Sequence, residues 1–230
     1  MNFNGSITVL DHPLVHGHLC VMRDAATKAR DFVASARVVS MCLLLEATKW
    51  TRTASTIIKT PLSETACMTM APTKVCIASI LRAGLVMSGT AEEIIINTVT
   101  YHIWLQRSTK THEPTYYCDN LPDSFADSGI TEIFICDPIL ATGGSACMAI
   151  KMCLARGIAE EDIKVLCILS CTEGLRTVFK TYPSVSIITA CVDEKLDDNA
   201  RIIPGLGDAG DRIFGTYTPH VRPASKTPIL

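Results

Sequence analysis

Short apolar runs that alternate with helical segments constrain this chain more than any other feature. Five runs have the character of buried strands, at residues 75–81, 98–105, 133–136, 163–170 and 185–192. Helical patterns follow three of them, at residues 85–95, 145–152 and 173–182. Repeated strand–helix–strand order is typical of a parallel sheet with right-handed crossover connections. The sequence therefore predicts an α/β fold.

The segment of residues 133–152 reads as a strand, a loop and a helix. Its apolar run breaks at Asp137 and Pro138, passes through two adjacent glycines, and resumes with good helix formers. Glycines permit positive φ and close approach of the backbone to a ligand, and the following helix turns its unpaired N–H groups and positive dipole end toward the loop. An anion, most simply a phosphate, is expected there.

The side chains around this loop indicate which phosphate compound it binds. The loop lacks the Lys-Ser/Thr ending of nucleoside triphosphatases and the glycine spacing of dinucleotide sites. Instead it has an acid, Asp137, at the end of the strand, then Thr142, and Ser145 as the predicted N-cap. A carboxylate on the ribose side and amides on the phosphate side would hold a ribose 5-phosphate. An ordinary strand-to-helix turn with a serine cap is the alternative; the acid and the strand favour the ligand site.

Several motifs together resemble one family. They are Asp137-Pro-Ile-Leu-Ala-Thr-Gly-Gly-Ser145, Arg23-Asp24, Ile80-Leu-Arg-Ala-Gly-Leu85, Glu173-Gly174 and Pro204-Gly-Leu-Gly-Asp-Ala-Gly-Asp-Arg-Ile-Phe-Gly-Thr216. The chain resembles the uracil phosphoribosyltransferases, which use phosphoribosyl pyrophosphate (PRPP). The resemblance extends over nearly the whole chain.

The resemblance implies a type I phosphoribosyltransferase-like parallel sheet flanked by helices. It also implies one domain over residues 1–230, with an N-terminal helical layer at about 10–50 and a core at about 70–192. A flexible hairpin arm belongs to that core, and a C-terminal hood that binds the base, with a tail, occupies about 193–230. The glycines of the hood are too numerous for regular structure, so we expect an irregular segment there.

The resemblance also assigns site residues. PRPP is expected to contact Arg82, Arg107, Asp208 and the loop residues Asp137, Pro138, Ile139, Leu140, Ala141, Thr142, Gly143, Gly144 and Ser145. The resemblance implies catalytic roles for Arg82, Arg107 and Asp208: two cations would stabilise the departing pyrophosphate, and the family's aspartate at the position of Asp208 lies near PRPP and its metal. Judged by local sequence alone, either arginine could be an ordinary surface residue. Mg²⁺ is expected to arrive with PRPP and water, since no metal-ligand cluster is visible.

The base is assigned to Ile202, Gly207, Asp208 and Ala209 by the same resemblance. Backbone N–H and C=O groups in such a turn can read the carbonyls and the N3–H of uracil and reject cytosine. Two departures from the family pattern stand out. Residues 86–90 lack an expected acid and have a shifted glycine, and Arg201 replaces a frequent tyrosine.

These departures support an alternative from another functional class, a PRPP- or uracil-binding regulatory homologue with little or no turnover. A phosphoribosyltransferase for another base is a nearer alternative. The match over residues 204–216 argues against purine and orotate enzymes, whose base hoods differ.

Composition limits partners and location. A net charge of −2 gives no field that would attract nucleic acid or an anionic membrane. No apolar run is long enough to cross a bilayer and the polar start is not a signal peptide, so we expect a soluble cytoplasmic protein. Most of the eleven cysteines lie in apolar runs without zinc-site spacing and read as small buried hydrophobic residues. By resemblance we further expect a homo-oligomer, a dimer or higher, and an allosteric nucleotide such as GTP.

Local patterns in three further segments predict secondary structure. Residues 10–50 have a helical pattern in which Phe32, Ala36, Val39, Leu43, Ala47 and Trp50 share one face. Residues 51–69, rich in threonine and broken by Pro61, predict an edge strand or hairpin. The proline-containing residues 217–230 predict an extended surface strap.

Overall fold

The computed structural model describes residues 6–71, 74–107, 114–126 and 128–216. Within them the helices are α1 (Pro13–Arg23), α2 (Ala29–Thr48), α3 (Leu85–Ile94), α4 (Gly144–Leu154), α5 (Thr172–Thr181) and α6 (Ala209–Phe214). The strands are β1 (Ile7–Val9), β2 (Thr53–Lys59), β3 (Glu64–Met70), β4 (Lys74–Leu81), β5 (Thr98–Arg107), β6 (Pro114–Asp119), β7 (Ile130–Cys136), β8 (Ile139–Leu140), β9 (Ile163–Cys171), β10 (Ser186–Asp193), β11 (Lys195–Leu196) and β12 (Ile202–Ile203). A 3₁₀ turn (Glu160–Asp162) precedes β9.

The main sheet has the strand order β1-β10-β9-β7-β4-β5-β6, with the short β8 also paired to β9. All pairs are parallel except β5 with β6, which is antiparallel. The predicted α/β fold and its five strands are confirmed. The chain passes from β4 outward to β5, then returns to β7 on the other side of β4 and continues to β9 and β10. The strand order therefore reverses between β4 and β7, and open α/β sheets bind ligands outside the carboxyl ends of strands at such a switch point.

The central strands are buried on both faces because apolar side chains point alternately to two layers. Ile77 and Phe134 face the layer formed by α1, α2 and α3, whereas Ala78 and Ile135 face the layer formed by α4 and α5. Cys136 and Cys167 are fully buried, and burial raises the pKa of both thiols to about 12. These two thiols act as hydrophobic core residues, as predicted. The prediction was wrong for most of the others, because only five of the eleven cysteines are buried and Cys20 and Cys118 are exposed.

The N-terminal layer is helical, as predicted, but it consists of two helices separated by residues 24–28. Five of the six residues predicted on the inner face are buried against the sheet, namely Phe32, Ala36, Val39, Leu43 and Ala47. The sixth assignment was wrong. Trp50 follows the end of α2 at Thr48 and is 80% exposed, because the helical period no longer applies beyond the helix.

Residues 51–69 form the predicted hairpin, in which β2 and β3 pair antiparallel as a separate two-stranded sheet. The predicted arm begins as β5 and returns as β6, while its tip at residues 108–113 lies outside the described residues. The strap predicted at residues 217–230 also lies outside them. No helix in the described part of the chain is both long and apolar enough to cross a membrane.

The C-terminal hood, residues 193–216, is more regular than its glycines predicted. β11 and β12 form a small antiparallel pair, and residues 209–214 form α6. The expectation of an irregular segment was wrong because the glycines flank the helix more than they interrupt it. Asp208 caps its start by accepting a hydrogen bond from the Asp211 amide at 2.9 Å, and Gly215, with φ 64°, ends it.

Candidate active site

The carboxyl edge of the sheet brings four loops of the predicted site together. In the strand register Ser79 of β4 lies beside Cys136 of β7, and Cys171 of β9 lies beside Asp193 of β10. The turn carrying Arg82, the loop starting at Asp137, the turn at Gly174 and the hood therefore leave the sheet from neighbouring positions. This edge includes the switch point between β4 and β7.

The loop predicted to bind phosphate, residues 137–145 and called the phosphate loop below, connects β7 to α4 and contains the two-residue strand β8. Gly143 is the N-cap of α4 and has φ 87°, a left-handed conformation that favours glycine. The prediction that Ser145 caps the helix was wrong: Ser145 lies within the first turn and is buried. Within the described residues no side-chain hydrogen bond caps this helix, and backbone N–H groups at a helix N-terminus can bind an anion.

The loop is held in place by close backbone packing against the turn after β9. A Cβ atom on Gly143 would lie 2.8 Å from the Gly174 carbonyl oxygen, and a Cβ on Gly174 would lie 2.4 Å from that of Ala141. Only glycine fits at these two contacts. The Glu-Gly motif at residues 173–174 thus supports the phosphate loop from behind.

Asp137 leaves β7 at the switch point, where the sequence analysis placed a ribose-binding carboxylate. Its Oδ1 accepts a hydrogen bond from the Ile139 amide at 3.4 Å, and its amide donates to the Leu166 carbonyl at 3.2 Å. The side chain is half-buried. The acid is therefore tied to the loop that it precedes.

Arg82 follows β4 on the other side of the switch point. Its turn is packed tightly, because a Cβ on Gly84 would lie 2.5 Å from the Cys136 carbonyl oxygen and 2.6 Å from that of Ile80. The guanidinium Nη2 lies 3.7 Å from Asp211 Oδ1, and its carbon lies 5.1 Å from the centre of the Phe214 ring. The structure therefore brings Arg82 to the hood.

The hood is anchored to the sheet by Arg23 and Asp193. Arg23 donates to both carboxylate oxygens at 2.7 and 2.9 Å, and the Gly205 amide donates to Asp193 Oδ2 at 2.9 Å. Burial alone raises the pKa of Asp193, but the hydrogen bonds from Arg23 and Gly205 outweigh it, so the net pKa lies below the usual 3.8. The carboxylate form is the one that holds the hood.

Arg212 makes a second anchor, from α6 to the segment between α1 and α2. Its guanidinium donates to the carbonyls of Met22, Leu206 and Asp24, the last two at 2.8 and 2.6 Å. Its carbon also lies 4.4 Å from the centre of the Phe32 ring. The hood helix is thereby fixed to the N-terminal layer.

The structure does not bring the four predicted uracil residues into one cavity. Gly207 and Asp208 are exposed and line a cavity of about 500 Å³ between the hood and residues 23–29. Ile202 and Ala209 are buried in the core, and none of residues 137–145 lines that cavity. Any base reading by Ile202 and Ala209 must therefore come from their main chains.

The structure describes only part of what was predicted for Arg107 and for the departures from the family pattern. The backbone of Arg107 ends β5, as expected for the start of the arm, while its side chain lies outside the described part of the structure. Residues 86–90, which depart from the family pattern, lie within the regular helix α3, and Arg201 is exposed near the turn of the β11–β12 pair. Across the described ranges, no three His, Cys, Asp or Glu side chains group as a metal site.

The residues that hold the site together were not predicted from the sequence. Asp193 was interpreted as part of a loop. Arg23 and Arg212 were noted only as members of motifs, without a role. Asp211 and Phe214 were likewise given no role. Arg212 and Asp211 lie in the most specific motif of the chain, and that was an available signal. Arg23 donates to Asp193 and to the Gly205 carbonyl, 170 and 182 residues away, and no local pattern reveals such partners.

The class of the protein follows from this arrangement. The sheet is mostly parallel, and its switch point lies between the turn that carries Arg82 and the phosphate loop that begins at Asp137. These features define a type I phosphoribosyltransferase. Residues 9–216 match the family model for uracil phosphoribosyltransferase. The chain belongs to the uracil phosphoribosyltransferase family.

Individual relatives agree with this assignment. The chain is 42% identical to a uracil phosphoribosyltransferase of Alkaliphilus oremlandii, over 91% of this chain and 98% of that protein. It is 41% identical to one of Dictyoglomus thermophilum, over 91% of this chain and 99% of that protein. Among solved structures, the AQ2163 protein of Aquifex aeolicus is similar with a TM-score of 0.82 and 28% identity, covering 90% of this chain and 97% of that one.

Proposed function

We propose that this protein transfers the phosphoribosyl group of PRPP to uracil, giving UMP and pyrophosphate, as an enzyme of pyrimidine salvage. The observation that carries the proposal is the uncapped N-terminus of α4 behind Asp137, beside the turn of Arg82 at the switch point of the sheet. The loop at Asp137 and the start of α4 can bind a ribose 5-phosphate, and the turn of Arg82 can bind a diphosphate. Family membership favours this enzyme over the regulatory homologue.

In the proposed reaction, N1 of uracil bonds to C1 of the ribose while the bond from C1 to the pyrophosphate oxygen breaks. The amides of residues 143–145 hold the 5-phosphate and Asp137 holds the ribose hydroxyls. Arg82 and Arg107 stabilise the negative charge that gathers on the leaving pyrophosphate. The N1 proton leaves to solvent, and the main role of the protein is to position the reactants.

Mg²⁺ belongs to the proposal as a companion of PRPP. Asp208 fits this role, because its exposed carboxylate uses Oδ1 to cap α6 and can turn its other oxygen to a hydrated ion. Mg²⁺ prefers such sites, with one or two carboxylates, waters and substrate phosphates. When bound, the ion neutralises charge on the diphosphate.

The direct test is product analysis of the purified protein with PRPP and Mg²⁺, with and without uracil. We expect UMP and pyrophosphate to form in equal amounts and only when uracil is present. Binding of PRPP without pyrophosphate release would instead support the regulatory homologue. A panel of other bases in the same assay tests whether the enzyme serves a different base.

The two arginines give a second test of the same site. Replacement of either Arg82 or Arg107 by alanine removes a donor to the leaving group, and kcat should fall by about 10²-fold or more. Steady-state rates of UMP formation provide the measurement. Wild-type rates in both variants would return these residues to the surface role that their local sequence allows.

The proposal includes assembly and location. Exposed apolar side chains on α2 and on the β2–β3 hairpin, among them Leu45 and Ile57, support a homo-oligomer, a dimer or higher. The eleven free cysteines suit a reducing compartment such as the cytoplasm.

A nucleotide effector such as GTP completes the proposal. Two neighbouring cavities of about 400 and 500 Å³ share Ala29 at the start of α2. Arg30 and Arg37 are the charged residues that line the 400 Å³ cavity, and they give it the sign that a triphosphate requires. The 500 Å³ cavity has Asp208 and Asp211 in its wall beside Lys28 and contains two of the residues proposed for uracil and Mg²⁺. Rates of UMP formation measured across GTP concentrations test this part, and rates independent of GTP would remove it.

A further inference from the structure

Two residues of the hood contact Arg82, and neither has been assigned a role in binding. Asp211 and Phe214 both lie on α6, and they contact the edge and one face of the guanidinium at 3.7 and 5.1 Å. Arg82 itself lies on the opposite loop, between β4 and α3. The contact therefore links the hood to the side of the switch point where pyrophosphate is proposed to bind.

Asp211 is itself fixed in place. Its amide donates to Asp208 Oδ1 at 2.9 Å, and its Oδ1 accepts from the Thr216 hydroxyl at 2.7 Å. The neighbouring Arg212 ties the same helix to the backbone carbonyls of Met22 and Asp24 in the N-terminal layer. Hydrogen bonds thus fix the carboxylate that faces Arg82, and the Phe214 ring lies against the guanidinium from the same helix.

The geometry leaves Arg82 able to bind an anion. A guanidinium has five N–H donors, and a separation of 3.7 Å from Asp211 attracts the group without forming a close hydrogen bond. The ring covers only one face, and the Arg82 side chain remains 53% exposed. Asp211 and Phe214 therefore restrict the orientation of the Arg82 guanidinium, while N–H donors on its open edge remain able to bind an anion.

We propose that Asp211 and Phe214 are positioning residues that hold Arg82 in the orientation in which it binds the pyrophosphate group. This inference rests on the proposed function, because it assumes that Arg82 binds pyrophosphate. It adds that the hood contributes to pyrophosphate binding through α6. Since Asp208 starts that helix, the base-binding segment and the pyrophosphate-binding arginine share one support.

The charge of Asp211 makes the inference sharply testable. Removal of a carboxylate near a diphosphate would, through charge alone, tighten anion binding. Loss of a positioning contact should weaken it. The two explanations predict opposite signs for the same substitution, Asp211→Asn, which keeps the size of the side chain and an oxygen that can accept from Thr216.

The experiment measures the Kd of inorganic pyrophosphate with Mg²⁺ by calorimetry, together with kcat and KM for PRPP. For Asp211→Asn we expect pyrophosphate binding to weaken about two- to fivefold, the scale of one exposed ion pair. Asp123→Asn is the charge-matched control, because Asp123 is exposed in the loop after β6, near the C-terminal end of α4. Its pyrophosphate Kd should equal that of the wild type.

A double-mutant cycle shows whether Asp211 acts through Arg82. In the Arg82→Ala background Asp211→Asn should cause no further loss, whereas a general structural role would cause the same loss as in the wild type. Phe214→Tyr should retain pyrophosphate affinity and Phe214→Leu should reduce it, with equal melting temperatures confirming intact folds.

An unchanged or tighter pyrophosphate Kd in Asp211→Asn, or an equal loss in both backgrounds, would overturn the inference. Measurements of pyrophosphate binding and UMP formation by the wild type distinguish failure of this inference from failure of the proposed function. If it binds pyrophosphate with the expected Asp211 dependence but forms no UMP, the proposed function fails and the positioning role stands.

Discussion

At the scale of single residues, the Arg23–Asp193 pair makes a prediction about stability and pH. The Asp193 side chain is 6% exposed, and its folded pKa lies below 3.8, so folding favours the carboxylate. A depressed folded pKa gives stability that is fully present above the unfolded value and is lost as the pH falls through the folded value. Asp193→Asn should therefore lower the free energy of unfolding at pH 7 by about 2–4 kcal/mol, since Arg23 loses its partner.

Thermal or denaturant unfolding of both proteins between pH 7 and pH 3 checks this prediction. The difference between variant and wild type should be constant at neutral pH and shrink once the pH falls below about 4. A difference that stays constant down to the acid limit would show that the charge of Asp193 does not stabilise the fold.

At the scale of elements, two glycines near Arg82 give a matched pair of substitutions. Gly84 has an ordinary helical conformation, so Gly84→Ala acts through sterics alone, and its Cβ would lie within 2.6 Å of two backbone carbonyl oxygens. The turn must shift, at a cost of about 1–3 kcal/mol. We expect lower stability and weaker PRPP binding, because the same turn carries Arg82.

Gly89 is the control from the adjacent helix α3, where a Cβ would meet nothing within 4 Å. Gly89→Ala should raise the free energy of unfolding by about 0.5–1 kcal/mol and leave PRPP affinity unchanged. Denaturant unfolding and PRPP titration of both variants provide the measurements. Equal effects of the two substitutions would contradict the tight packing described for the Arg82 turn.

Elements were predictable from sequence where one local signal dominates. Buried strands such as β4 and β9 are continuous apolar runs, and the strand–loop–helix around Asp137 combines a strand end with two glycines. The N-cap of α4 was misassigned to Ser145 because the left-handed conformation of Gly143 depends on its packing against Gly174. The helix α6 was missed because four glycines around it concealed the Asp208 cap and the Gly215 terminator.

At the scale of the whole molecule, the β2–β3 hairpin is the surface that best supports the proposed homo-oligomer. It forms its own two-stranded sheet, and such a hairpin is marginal by itself in water. Ile57 and Met68 lie on one face and are 75% and 67% exposed. We expect this face to contact a second copy of the chain, so that Ile57→Asp shifts the oligomer toward smaller species.

Thr56→Asp is the matched control, because neighbouring residues of a strand point to opposite faces. Sedimentation velocity over a range of protein concentrations measures the effect. A wild-type protein that is monomeric at every concentration, or an equal effect of both substitutions, would contradict this assignment of the interface.

The architecture was more predictable than the contacts that complete the site. The βα alternation predicts a parallel sheet, and parallel strands place the loops of Arg82 and Asp137 at one edge, but the strand order was not predicted. The contact of Arg82 with Asp211 and the anchoring of the hood by Arg23 join residues more than 120 positions apart in sequence. Such long-range pairs depend on how packed layers meet, and local periodicity carries no information about them.

The measurement that tests the central claim most directly is the ratio of kcat/KM for uracil to that for cytosine, with PRPP and Mg²⁺ at saturation. Uracil offers two carbonyl acceptors with an N3–H donor between them, while cytosine replaces the C4 carbonyl by an amino group and lacks the N3–H. A hood that reads the base through the main chains of Ile202, Gly207 and Ala209 would leave buried groups unpaired with cytosine. We expect a ratio of about 10⁴ in favour of uracil. Comparable values for the two bases, or no UMP from uracil, would contradict the account.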